Sequence, residues 1–120
     1  MRRLAAGLGL ALLVWGTGEL HAHAFLDRAD PRVGSTVKVS PARIRLWYTQ
    51  RLEPAYSTAQ VLDDAGRQVD SKDVRVEPSA PSLLELSLPA LGPGRYRVVW
   101  RVLSVDTHVT SGDYTFRVAP

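Results

Sequence analysis

Between Arg43 and Tyr48 the chain alternates without a break: Ile44, Leu46 and Tyr48 fall on one face, and Arg43, Arg45 and Trp47 on the other. Successive side chains of an extended strand point to opposite faces, so this pattern describes a strand with one side in a core. The same period returns along the chain. A second strand is expected near Ser57 to Leu62, closed by the turn-forming run Asp63-Asp64-Ala65-Gly66. Short strands near Val69 and from Val74 to Val76 follow, and Pro78 and Pro81 bound the next connection. Leu84, Leu86 and Leu88 then alternate with Glu85 and Ser87. The longest strand is expected from Arg95 to about Leu103, with Tyr96, Val98, Trp100 and Val102 on one side. The closing strand turns Tyr114, Phe116 and Val118 inward. About seven short strands, punctuated by Gly and Pro and with no helical period, predict an all-β fold. The expected form is a single antiparallel β-sandwich or barrel with Greek-key connections.

The first residues are read differently. Arg2 and Arg3 precede an apolar stretch from Leu4 to Trp15, and Gly16 to Ala22 is small and mildly polar. This is the layout of a secretory signal, and the apolar run is short for a bilayer span. The alternative is an uncleaved N-terminal anchor. We expect residues 1–22 to be a cleaved signal peptide and residues 23–120 to form one domain. A cut after Ala22 makes His23 the mature N-terminus. A cut after Ala24 fits the small-residue rule better and would remove His23.

Composition narrows the function. Losing Arg2, Arg3 and Glu19 lowers the formal charge from +3 to +2. The basic residues are interleaved with acids along the strands, which is a solvated surface and not a nucleic-acid footprint. There is no cysteine, so an exported domain of this size is held by packing alone. No later apolar run is long enough for a membrane helix, so the mature form is not expected to be membrane-embedded. No Ser-His-Asp order or glycine-rich phosphate loop points to a hydrolase. Trp47 and Trp100 read as packing residues in preference to a ligand platform.

Three residues carry the candidate chemistry. Asp106 and His108 are two apart at the end of the longest strand, and in an extended segment that spacing projects both to one side. Alone they would be an ordinary exposed loop pair. A mature N-terminal His23 changes this, because its amine and imidazole together chelate a metal. With His108 that makes three nitrogens, and Asp106 adds an oxygen. Such a donor set suits Cu(II), although zinc uses the same donors tetrahedrally. Met1 is the only methionine and leaves with the signal, so no sulfur donor remains for Cu(I). A blue-copper centre, which needs a Cys ligand, is excluded.

At these residues the chain resembles the CopC family of periplasmic copper-binding proteins. The resemblance starts with His23-Ala24-Phe25-Leu26 and Asp30-Pro31-x-x-Gly34-Ser35, and continues through Pro41-Ala42-Arg43-Ile44-Arg45-Leu46, Leu88-Pro89-x-Leu91 and Gly94-x-Tyr96. It ends with the run from Val99-Trp100-Arg101 to Asp106-Thr107-His108, then Gly112-x-Tyr114-x-Phe116. It implies a seven-stranded cupredoxin- or immunoglobulin-like sandwich in the periplasm. It also implies one Cu(II) site built from His23, Asp106 and His108, and a role in copper resistance or supply. A membrane partner of the CopD type, which moves the metal across the inner membrane, is implied as well. Two departures stand out. The methionine-rich Cu(I) site of some members is absent, and Gln50 stands in the Tyr48–Pro54 stretch where relatives place a glutamate.

The expected function is that of a Cu(II) carrier or buffer, not an enzyme. Two rivals remain. One is a metal-free exported interaction module. The other is a histidine-brace oxidative enzyme, for which so small a domain offers little substrate platform.

Overall fold

The computed structural model describes residues 24–120. Eight strands form two four-stranded sheets. The first sheet joins β1 (Leu26–Asp30), β3 (Arg43–Tyr48), β6 (Ala80–Ser87) and β5 (Arg75–Glu77) in the spatial order β1-β3-β6-β5. The second joins β2 (Thr36–Val37), β8 (Val109–Val118), β7 (Gly94–Leu103) and β4 (Thr58–Leu62) in the order β2-β8-β7-β4. The chain crosses between sheets after β1, β2, β3, β4 and β6.

The alternation read in the sequence becomes the core. Ile44, Leu46 and Tyr48 pack with Leu84, Leu86, Val61, Tyr96, Val98, Val102, Tyr114 and Phe116 in one buried cluster. Tyr96 stacks on Phe116, and Tyr48 meets Trp100 edge-on with ring centroids 5.3 Å apart. The turn before β7 closes as expected of an immunoglobulin-like corner, with the Tyr96 hydroxyl donating to the Gly92 carbonyl at 2.7 Å.

Three details differ from the expectation. There are eight strands where about seven were expected, because Thr36–Val37 pairs in parallel with β8. Two residues carry too little periodicity to read. Val69 forms no strand; its N–H donates to the Val61 carbonyl beside the buried Asp70, whose carboxylate caps the Val61 N–H at 2.8 Å. Pro81 lies inside β6 and does not bound it.

Glu85 alternates with leucines but is only 4% exposed. It lies on the outer face of the first sheet, covered by Arg45, whose Nε is 2.9 Å away, and by Arg75 and Arg43. A buried carboxylate needs such partners.

Candidate metal centre

The β7–β8 hairpin closes at one end of the sandwich through Ser104–His108. Alternation along β7 puts Val102 and Ser104 inward, and Ser104 is fully buried where an apolar residue would be expected. Its backbone N–H donates to the His108 carbonyl at 3.0 Å, and its carbonyl accepts from the Thr107 N–H at 2.9 Å. The β3–β4 connection braces this loop from below: Val105 donates to the Arg51 carbonyl, Glu53 donates to the Leu103 carbonyl, and Leu52 bridges Ser104.

Asp106 and His108 do come together, but not by the extended route expected. Thr107 between them has φ +73°. A β-branched residue is strained in that left-handed region. The Thr107 hydroxyl donates to the Asp106 carbonyl. The tight turn brings His108 Nδ1 to 3.4 Å from Asp106 Oδ1, with both side chains a little over two-fifths exposed. The Ser104 hydroxyl, donating to Oδ1, holds the Asp106 carboxyl below its usual range; partial burial opposes this and His108 reinforces it. Asp106 is therefore an anion at neutral pH and stands ready as an oxygen donor.

His23, the third candidate, lies outside the described residues. The residue after it does not. Ala24 is fully buried, and its carbonyl accepts from the Thr110 hydroxyl at 2.7 Å, two residues beyond His108. The next residue is tied to the end of β3, with Phe25 N–H on Thr49 Oγ1 at 3.0 Å and Thr49 N–H on the Phe25 carbonyl at 2.9 Å. The chain thus begins its described course at the same end of the sandwich as the Asp106–His108 pair.

Among the described residues no group of three His, Cys, Asp or Glu side chains gathers around one point. Asp106 and His108 fit a metal that takes one nitrogen and one oxygen from this loop and further donors from elsewhere. Gln50 sits one residue before Arg51, whose carbonyl anchors Val105, so this neutral side chain belongs to the same end. Ser104 is the residue that sequence reasoning missed. Its signal was a lone serine in an inward position of an apolar strand, two residues before an aspartate.

The CopC family model, described as the CopC domain, matches residues 26–119. The chain is 32% identical over 104 residues to copper resistance protein C from Escherichia coli, covering 81% of this chain and 82% of that protein. The crystal structure of CopC from Methylosinus trichosporium OB3b superposes with a TM-score of 0.77 at 38% identity, covering 82% of this chain and 95% of that one. PcoC, a methionine-rich copper resistance protein from Escherichia coli, gives a TM-score of 0.68 at 31% identity over 81% of this chain and 99% of its own. A loop that joins a carboxylate to an imidazole beside the start of the domain, on an eight-stranded sandwich that these comparisons match almost end to end, places the chain in the CopC family.

Proposed function

We propose that this protein is a periplasmic carrier or buffer for Cu(II), and not an enzyme. The mature chain starts at His23 after loss of residues 1–22. His23 supplies amine and imidazole, His108 a second imidazole, and Asp106 a carboxylate oxygen. The observation that carries this reading is the Thr110–Ala24 hydrogen bond, which ties the residue after His23 to the strand that begins beside His108. The copper-resistance relatives and the copper proteins of like fold support the choice of metal. So does the donor set, since nitrogen and oxygen donors hold Cu(II) and no methionine or cysteine remains after residue 1 to favour Cu(I).

The chain's own groups account for capture and release. The hairpin loop is braced before any metal arrives, so binding orders little. Protons compete with copper for the amine and imidazoles, so acid releases the metal. Reduction releases it too, because the ligands lack sulfur. An inner-membrane transporter of the CopD type is the proposed acceptor.

The test is a chelator-competition titration of the mature protein with Cu(II). One tight equivalent is expected, weakened at least about 100-fold by His108→Ala and by one extra residue ahead of His23, since each removes a chelating nitrogen. Unchanged affinity in both variants would rule out this ligand set.

A further inference from the structure

The hydroxyl of Ser104 has one proton to give and lone pairs to offer. Two acceptors lie within its reach, Asp106 Oδ1 and, at 3.2 Å, the His108 carbonyl. The carboxylate is the charged and nearer acceptor, and charge-assisted bonds are the stronger kind, so the proton goes to Oδ1. The oxygen in turn accepts the His108 N–H at 3.3 Å. The backbone of Ser104 closes the ring from both sides, on His108 and on Thr107. Apart from the Thr107 hydroxyl on the Asp106 carbonyl, the described hydrogen bonds between the two candidate ligands lead back to this one buried residue. Oδ1 also faces His108 Nδ1 at 3.4 Å. The Ser104 hydroxyl donates to Oδ1, and none of the described hydrogen bonds engages Oδ2.

We infer that Ser104 is a positioning residue for the metal. It occupies Oδ1, so that Asp106 acts as a one-oxygen ligand through Oδ2, and it fixes the backbone of His108 in the same stroke. This inference rests on the Cu(II) reading above. Partners that orient ligands in this way are typically worth about 10–100-fold in metal affinity. The hydroxyl is the only feature Ser104 offers beyond a methylene, so alanine removes the function and keeps the volume, while threonine keeps the oxygen.

The experiment compares mature wild type, Ser104→Ala and Ser104→Thr, each loaded with one equivalent of Cu(II). It reads chelator-competition affinity, the electron paramagnetic resonance spectrum and the apo melting midpoint. Ser104→Ala is expected to bind about 10–100-fold more weakly. Its copper hyperfine splitting shifts as the carboxylate turns, and its nitrogen couplings persist. Ser104→Thr returns the wild-type spectrum. In an Asp106→Ala background, Ser104→Ala costs less affinity than it does in wild type, because the share carried by the Ser104–Asp106 bond is already gone. A lower midpoint with wild-type affinity and spectrum would make Ser104 purely structural and overturn the inference. Fully additive losses with Asp106→Ala would overturn it as well. If Ser104→Ala does not fold, Ser104→Thr decides: a wild-type spectrum supports the retained hydroxyl, and an altered one counts against it. Wild type that takes up no Cu(II) removes the metal reading itself, whereas tight binding that Ser104→Ala leaves untouched removes only the role of Ser104.

Discussion

Gly112 faces Trp100 directly across the β7–β8 ladder. A Cβ built on Gly112 would lie 2.5 Å from Trp100 Cζ2, 3.0 Å from Cη2 and 3.1 Å from Cε2. Carbon atoms settle at about 3.5–4.0 Å, so the Gly112→Ala variant must push the indole away by about 1 Å. The ring is rigid and its neighbour is the buried Tyr48, which it meets edge-on. Displacing it therefore disturbs a packed aromatic contact, and overpacking of this kind costs about 1–3 kcal/mol. In a domain of about 100 residues each kcal/mol moves the melting midpoint by roughly 4–8 °C, so a fall of about 5–20 °C is expected. Circular dichroism gives the midpoint, and tryptophan emission reports the indole as it moves toward solvent. In a Trp100→Leu background the same glycine change should lose most of its effect. A Gly112→Ala protein with the wild-type midpoint and emission would refute the close approach on which the reasoning stands.

Further consequences concern buried polar groups and protons. The Tyr48 hydroxyl is buried with no hydrogen-bond partner among the described residues, so Tyr48→Phe should stabilise the domain by about 1 kcal/mol. Tyr114→Phe should destabilise it by about the same amount, because its hydroxyl donates to the Pro31 carbonyl at 2.9 Å. Chemical denaturation separates the two signs. Burial raises the pKa of both phenols, with the Tyr114 hydroxyl adding to it for Tyr48 and the Asp30 carboxylate adding to it for Tyr114. The native state therefore keeps protons that the unfolded chain gives up above about pH 10. The stability is fully present below that pH and falls as pH climbs beyond it, a loss that denaturant midpoints across pH 8–11 should register and that the double Phe variant should blunt. Asp70→Ala strips the acceptor from the buried Val61 N–H at 2.8 Å and from the Lys72 N–H at 3.0 Å, and should cost about 3 kcal/mol in the same assay. Asp106 behaves oppositely to the phenols. The Ser104 hydroxyl lowers its pKa, so its contribution is present above the ordinary carboxylate range and is lost as pH falls through the depressed value.

The core was legible because period-two alternation is a direct consequence of strand geometry, and the strands at Arg43–Tyr48 and Gly94–Leu103 are long enough to display it. Thr36–Val37 was not legible, since two residues paired in parallel through the backbone leave no pattern in side-chain polarity. Glu85 looked like a solvent-facing residue because its polarity is compensated by arginines from β3 and β5, which sequence spacing does not bring together. At the candidate metal end, the spacing of Asp106 and His108 correctly marked them as neighbours, but for the wrong reason. Thr107 turns the chain through a left-handed conformation that a β-branched residue does not advertise. Ser104 escaped notice because its hydroxyl makes its two bonds within its own loop, to Asp106 and from His108, and these exist only once the hairpin has closed.

The most direct test of the central claim joins two readings on one sample. The exported protein is purified, its N-terminal residue is fixed by intact mass, and the same material is titrated with Cu(II) under electron paramagnetic resonance. The account predicts a mature chain starting at His23 and a tetragonal, nitrogen-rich signal that saturates at one equivalent. A chain starting at Phe25, or a signal of loosely held copper that never saturates, would contradict it.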